Sequence, residues 1–221
     1  MKNQNSIVDK YYFLGGIAAP LIYFPLVMIL GALEPGYSHL TKMMSVLGGV
    51  PGIRGFLFNS GISTIGFSIA FFAIGLHREL KRSIGSNAGP ILMLIGSIGL
   101  ILSGIFSCNE NCVNIFIENT PVGTLHSVSS FIAGMGLSLA PFFIYARFIK
   151  DPFWKKFAAY TLITGFLANI PGIIFWITLF TARLPEIEGL IQRLGIVFVF
   201  IWIEVIALYI NKSNKSLSNN L

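Results

Sequence analysis

The amino-acid sequence predicts an all-α fold, a polytopic transmembrane bundle of six helices. Of the 221 residues, 54% are hydrophobic and 11% are charged, whereas soluble domains carry about 25% charged residues. Six stretches stay apolar over roughly the 20 residues that a membrane-crossing helix needs. The alternation over about ten residues that is typical of a membrane barrel is absent. This composition excludes a soluble enzyme, a disordered chain and a nucleic-acid-binding protein as first interpretations.

The charged and polar residues fall between the six apolar stretches. The predicted spans cover residues 11–33, 55–76, 86–107, 125–148, 157–182 and 190–210. We expect one membrane domain over residues 1–210 and a short cytoplasmic tail over residues 211–221, which is rich in Asn, Ser and Lys. The first apolar stretch exceeds the about 7–15 apolar residues of a secretory signal, so we interpret it as an uncleaved span.

The distribution of basic residues predicts the orientation of the bundle. Eleven of the 15 Lys and Arg fall on the side of the two termini, and the other four fall on the opposite side. Because cytoplasmic loops collect Lys and Arg, both termini are predicted to be cytoplasmic in a cell membrane. The loops 34–54 and 108–124 then face outward. This pattern also accounts for the net charge of +6 without a nucleic-acid partner.

The first outer loop predicts a short helix lying in the membrane interface. Ser38 is a suitable N-cap residue, and Gly48 with Gly49 would end the helix. An apolar stripe would face the membrane, formed by Tyr37, Leu40, Met44 and Leu47. This helix would either rest on the membrane or act as a lid that carries His39 or Ser45 over a site.

Small residues recur at helical spacing in several spans. Ser130, Gly134 and Ser138 lie four apart on one face of the fourth span, and Gly96 and Gly99 share a face of the third. In lipid, small residues let helix backbones approach closely, so we interpret these faces as packing seams. A groove for a substrate is the alternative for the same faces.

Two cysteines follow the third span. One helical turn brings the Cα atoms of Cys108 and Cys112 to about 6 Å, which suits a disulfide, and the predicted outer side is oxidising. Free thiols, and metal or redox chemistry, are the alternatives. Because two cysteines alone do not define a metal site, we assign no metal and no cofactor.

Polar residues with chemical capacity cluster near the predicted outer face. His126 would act either as a general base or as a donor to a backbone carbonyl. Arg193 opposes the trend of basic residues towards the cytoplasm and needs an anionic partner, unless it reaches the lipid headgroups. We predict that His126, Asn59 and Arg193 converge on one outward-opening, ligand-binding pocket. The candidate catalytic residues are His126, His39 and Ser45.

Glu204 is the one acidic residue well inside a span. A carboxylate buried there would favour its protonated form and would be able to relay protons. A single hydrogen bond in a structural role is the alternative, and we assign Glu204 no role.

Several short motifs occur in the order of a known family. They are Pro35-Gly-Tyr-Ser-His-Leu40, Met44-Ser-Val-Leu-Gly48, Asn59, Gly104-Ile-Phe106, Cys108, Cys112, His126, Gly189-Leu-Ile-Gln-Arg193 and Trp202. In this order, and across all six spans, the chain resembles the domain-of-unknown-function family 998. The resemblance implies a six-span prokaryotic membrane protein without an assigned activity. Relatives often place an Asp after the third span, where this chain has Asn109 followed by Glu110, so a role for that Asp does not carry over.

Three functions fit these observations. The first is a protein that binds or moves a lipid or small amphiphile through an outward-facing polar pocket. The second is an intramembrane lipid hydrolase with a His and Ser site near the outer face. The third is a structural subunit of a homo- or hetero-oligomer. The absence of a Gly-x-Ser-x-Gly elbow and of a His-Glu-x-x-His motif disfavours the enzyme.

Overall fold

Long helices account for nearly all of the chain that the structure describes. The computed structural model describes residues 11–80, 87–108, 112, 120–181 and 183–218, and side chains as far as residue 212. Within these ranges there is no strand, and the long helices are α1 (Phe13–Leu33), α2 (Ile53–Leu80), α3 (Ala88–Ile105), α4 (Pro121–Phe148), α5 (Ala158–Thr181) and α6 (Glu188–Ser218). All six are long and apolar enough to cross a membrane. The predicted all-α, six-span fold is confirmed.

The helix ends extend beyond the apolar stretches. α4 begins at Pro121 rather than at residue 125, because Thr120 caps the helix and its side chain accepts a hydrogen bond from the Gly123 amide at 3.2 Å. Pro121 at the first helical position adds to this start signal. α2 continues to Leu80 through His77 and Arg78, which favour the negative end of the helix dipole.

The six helices form a closed ring. Each helix packs against its neighbours in the chain, and α6 closes the ring by packing on α1. Helices on opposite sides of the ring scarcely contact each other. The ring therefore leaves space at its centre, and the site described below occupies one end of that space.

The seam between α3 and α4 brings two backbones into contact. A Cβ added to Gly136 would lie 2.7 Å from the Cα of Gly96, and one added to Gly99 would lie 2.6 Å from the amide nitrogen of Ala133. The seam predicted for the third span is therefore present. On α4, however, the seam uses Ala133 and Gly136, and the predicted face with Gly134 points elsewhere.

Aromatic side chains close the end of the ring at which α1 begins. Trp154 is 2% exposed and stacks on Phe148, with ring centroids 4.8 Å apart. The Lys156 ammonium lies 4.3 Å from the centroid of the Tyr209 ring. This arrangement suits the membrane–water boundary, where aromatic and basic side chains collect. Which side of the membrane this end faces stays a prediction.

Glu204 lies on α6 and is intermediate in exposure. Its carboxylate is thus not enclosed in the core. The buried proton relay considered from the sequence gains no support from this position.

The first loop, residues 34–52, is not the interfacial helix that its sequence predicts. Turns precede a short 3₁₀ helix over Met44–Gly49, so only the predicted end at the glycines agrees. An α-helix from Ser38 would pair the Leu40 carbonyl with the Met44 amide. Instead, the Leu190 amide donates to the Leu40 carbonyl at 3.0 Å, and the Met44 amide donates to Gln192 Oε1 at 2.8 Å. One helical hydrogen bond remains, from the Lys42 amide to the Ser38 carbonyl at 2.9 Å, and the bonds to α6 replace the next helical pair, Leu40 with Met44.

Candidate functional site

A cavity of about 230 Å³ occupies the centre of the ring. It lies in the half of the bundle that carries the first loop and the loops after α3 and α5, which we call the loop end. All six helices and the first loop line this central cavity. From α1 to α6, each helix contributes at least one lining residue; examples in that order are Tyr23, Phe58, Ser103, Ser130, Asn169 and Gln192.

The wall of the central cavity is mostly apolar. Aliphatic, aromatic and Met side chains form most of it, and among the described residues no Asp, Glu, Lys or Arg lines it. The polar lining groups are hydroxyls, amides and one imidazole, and they include Ser45, His126, Ser130, Asn169 and Gln192. The cavity thus combines an apolar surface with a few uncharged hydrogen-bonding groups, as small-molecule sites commonly do.

Two glycines show that this space is not a packing contact. A Cβ added to Gly172 would meet no atom within 4 Å, and one added to Gly134 would meet only Trp176 Nε1, at 3.9 Å. Both glycines line the central cavity. Ser130, Gly134 and Ser138 therefore form a wall of the cavity. For this face the sequence left two alternatives, a packing seam and a groove, and the cavity wall corresponds to the second.

His126 is fixed by the end of the neighbouring helix. Its Nδ1 lies 2.9 Å from the Ser103 carbonyl and 2.8 Å from the Phe106 carbonyl. Because carbonyl oxygens only accept hydrogen bonds, Nδ1 carries the proton and Nε2 of the neutral ring is an acceptor. The Ser130 hydroxyl lies 3.4 Å from Nε2. Of the two roles considered for His126, bonding to a carbonyl is present, and the second nitrogen keeps its capacity as a base.

The two cysteines lie beside the same histidine. Cys108 and Cys112 have their sulfur atoms at bonding distance and their Cα atoms 5.3 Å apart, close to the separation expected from the sequence. Together with one ring nitrogen of His126, the two sulfurs all lie within 4.8 Å of one another, and all three residues are buried. All three also line the central cavity.

Among the described residues, the hydrogen-bond partners of Arg193 are oxygens of the backbone and of Tyr37, and none is a carboxylate. Its Nη1 donates to the carbonyls of His39 at 2.9 Å, Lys42 at 2.9 Å and Gly189 at 2.7 Å. Its Nη2 donates to the Tyr37 hydroxyl. The partial negative charges of three carbonyls thus supply what the sequence analysis sought in a carboxylate or phosphate.

Further side chains attach the first loop to the ring. The Asn59 amide donates to the Gly48 carbonyl at 2.9 Å. At the start of α2, Arg54 donates to the Leu33 carbonyl at 2.6 Å and pairs with Glu34 at 3.1 Å. The first loop is therefore fixed at α2 and at α6, and its residues Met43, Met44 and Ser45 cover the central cavity.

His39 and Tyr37 lie next to the Arg193 guanidinium. Burial and the positive charge of Arg193 both hold the pKa of His39 below its usual value. Burial raises the pKa of Tyr37, and Arg193 opposes part of that rise. Both shifts favour the neutral forms of His39 and Tyr37. Arg193 is therefore the cation among these three residues.

The structure divides the predicted site into two groups. His126 and Ser45 line the central cavity, whereas Asn59, Arg193 and His39 hold the first loop above it. Of the three residues predicted to converge, His126 lines the central cavity, and Asn59 and Arg193 are not among its described lining residues. The sequence analysis missed Ser130 as a partner of His126, although their spacing of four residues places both on one helix face.

Comparison with known families decides the membership of the chain. The model of the family described as "Protein of unknown function (DUF998)" matches residues 17–209. The chain belongs to this family. Comparison with curated proteins and with solved structures gives no significant match. In this DUF998 chain, the motifs that carry the resemblance fall into the same two groups as the site residues, one that fixes the first loop and one that borders the cavity. Those around Tyr37, Asn59 and Arg193 fix the loop, and Cys108, Cys112 and His126 border the cavity.

Proposed function

We propose that this protein binds a neutral lipid or small amphiphile in the central cavity. The observation that carries the proposal is the composition of the wall, which is apolar, contains several uncharged polar groups and, among the described residues, has no charged side chain. A charged headgroup would be desolvated there without a counter-ion, at a high cost in free energy. A hydrocarbon chain ending in a hydroxyl, ester or amide fits these groups.

The polar end of such a ligand belongs at the loop end of the cavity. Ser45 on the first loop, His126 and Ser130 near the start of α4, and Gln192 near the start of α6 all lie there. Ile65 and Phe200 lie further along their helices and offer apolar surface for a chain. Binding thus needs only a few hydrogen bonds, and most of the affinity would come from apolar contact.

The first loop closes the cavity in the proposed function. Met43, Met44 and Ser45 line the space, and Arg193 and Asn59 fix the backbone on both sides of them. A ligand that leaves through the loop end has to break these hydrogen bonds. Movement of a ligand would therefore be coupled to release of the loop from α6.

The test is to fill the cavity without changing the lipid-facing surface. Gly172→Phe places a large side chain where an added Cβ meets nothing within 4 Å. Ile170→Phe, on the same helix at a position that is 54% exposed, is the matched control. Native mass spectrometry of the purified chain should show a retained neutral lipid in the wild type and in Ile170→Phe, and its loss in Gly172→Phe. A wild type without lipid, or retention in the folded Gly172→Phe variant, would overturn the proposal.

A lipid hydrolase is the second candidate, and one contact favours it. The Ser130 hydroxyl lies 3.4 Å from His126 Nε2, while two carbonyls orient the other ring nitrogen. A nucleophile, a base and a group that orients the base are the parts of an activated serine. Labelling of the wild type by a serine-directed fluorophosphonate, absent from Ser130→Ala, would favour this candidate over simple binding.

A further inference from the structure

Three side chains at the edge of the central cavity have the donor atoms of a metal site. They are Cys108 and Cys112, which follow α3, and His126 on the second turn of α4. Their two sulfurs and one ring nitrogen all lie within 4.8 Å of one another. In a tetrahedral zinc site with bonds of about 2.3 Å to sulfur and about 2.0 Å to nitrogen, ligand atoms lie roughly 3.5–3.8 Å apart. The separation between the ring nitrogen and either sulfur, at most 4.8 Å, therefore exceeds that in a bound set by no more than about 1.3 Å.

His126 has the second contact that metal-binding histidines usually have. Such a histidine donates its other ring N–H to a carboxylate or a backbone carbonyl, which fixes the ring and its tautomer. Nδ1 of His126 donates to the Ser103 and Phe106 carbonyls at the end of α3. The lone pair of Nε2 is therefore fixed in direction before any ligand arrives.

Charge decides which cation suits the cluster. The three residues are buried, and in the described residues the cavity wall offers no other charge. Two thiolates and a neutral imidazole carry two negative charges, which Zn²⁺ cancels. A monovalent soft cation would leave one negative charge desolvated, and that is costly in a low-dielectric environment.

We propose that the reduced form of the protein binds Zn²⁺ through Cys108, Cys112 and His126. In the disulfide form the sulfurs are bonded to each other and are not available as thiolates. A reductant of the phosphine class opens the bond, giving the disulfide two electrons and becoming the phosphine oxide with the oxygen of one water. The two hydrogens of that water complete the two thiols. Zinc then binds with release of both thiol protons, which leaves one of its four coordination positions for a further ligand.

The test compares the two redox forms of the same full-length chain. The wild type in detergent is incubated with ZnCl₂, with or without prior phosphine reduction, and desalted before elemental analysis. We expect one zinc per chain after reduction and only background zinc without it. Zinc in equal amount in both forms, or in neither, would overturn the proposal.

Variants identify the ligands. Cys108→Ser with Cys112→Ser should abolish zinc binding, and His126→Gln should raise the Kd by at least about 10-fold, since even outer partners of zinc ligands are worth 10–100-fold. His39→Gln, which changes a histidine outside the cavity, should bind zinc as the wild type does. An unchanged Kd in His126→Gln would exclude the three-residue site.

Cobalt provides a measurement that needs no variant. Co²⁺ added to the reduced wild type should give the strong visible bands of a tetrahedral ion and the near-ultraviolet band of a cobalt–thiolate bond. Spectra without the thiolate band would contradict the proposal even if the variants failed to fold. Because this test does not involve lipid, its result is independent of the test of the proposed function.

Discussion

His39 is held beside a cation at the point where the first loop meets α6. Its ring makes an edge contact with Tyr37, with centroids 5.2 Å apart, and a Cβ on Gly31 would collide with it. Among the described residues its Nδ1 is buried without a hydrogen-bond partner. Burial of the ring, and after it the positive charge of Arg193, lower the pKa of His39.

The first prediction concerns this histidine and pH. Because the pKa of His39 is lower in the folded protein than in the unfolded chain, the unfolded chain binds the proton more readily. The stabilising effect of the neutral ring is complete above the ordinary value of 6.5 and is lost as the pH falls below it. We expect the thermal midpoint of the wild type to drop between about pH 7.5 and pH 5.5.

His39→Gln is the variant that isolates this effect, since glutamine does not titrate. Melting curves of both proteins at both pH values should show a smaller drop in His39→Gln, because the remaining drop comes from other groups. Equal drops in the two proteins would show that His39 does not contribute.

Arg193 marks the limit of sequence reasoning at the scale of a residue. The sequence shows an arginine on the side with few basic residues, which correctly demands a compensating partner. It does not show that the partners are the carbonyls of His39 and Lys42, since every residue has a carbonyl and no residue type signals a free one. The contact between Ser130 and His126 could have been predicted, because their spacing of four residues is visible in the sequence.

At the scale of elements, glycines on α4 and α5 have opposite surroundings. Gly136 sits where two backbones touch, and Gly172 borders the central cavity. In the sequence, a glycine at a helix–helix contact cannot be distinguished from a glycine at a cavity wall. A small residue permits close packing in the first case and leaves space in the second. Only the arrangement of the neighbouring helix distinguishes a seam from a cavity wall.

The second prediction adds one methyl group at each of these glycines. Gly136→Ala should destabilise the protein by about 1–3 kcal/mol, because the new Cβ overlaps the backbone of α3. Gly172→Ala should be neutral or stabilising by up to about 1 kcal/mol, because it reduces the freedom of the unfolded chain and meets no atom. Thermal or denaturant unfolding in one detergent measures both. A similar loss in the two variants would mean that the space beside Gly172 is not open.

The helices were predictable and the first loop was not, for a physical reason. A bilayer requires each span to satisfy its own backbone, so length and hydropathy suffice to predict a helix. The first loop has no such constraint, and its apolar stripe resembles that of an amphipathic helix. Leu190 and Gln192 take the hydrogen bonds that this helix would need, and they lie far away in sequence.

At the scale of the whole molecule, the ring explains why the cavity exists. Each helix has its contacts with the helices beside it, so no helix fills the centre at the loop end. At the opposite end, aromatic residues around Trp154 fill the corresponding space. The central cavity therefore lies at the loop end of the bundle. A role as a subunit of a homo- or hetero-oligomer stays a prediction.

The third prediction concerns the direction in which that end points. The distribution of basic residues predicts that both termini are cytoplasmic, so the first loop and the cavity should face outward. A peptide tag at either terminus should be reached by an impermeant antibody only after the cells are permeabilised. A tag that is accessible in intact cells would reverse the orientation of the site.

The contacts of Arg193 also impose an order on biosynthesis. Three of them join residues 151 to 156 positions apart in the chain, and α6 leaves the ribosome after the five helices α1 to α5. Until α6 is inserted, the first loop has no partner for the Met44 amide or the Leu40 carbonyl. A chain that is cut short before α6 would keep this loop loose and its central space open to one side. Attachment of the loop therefore requires that α6 has been synthesised and inserted beside α1.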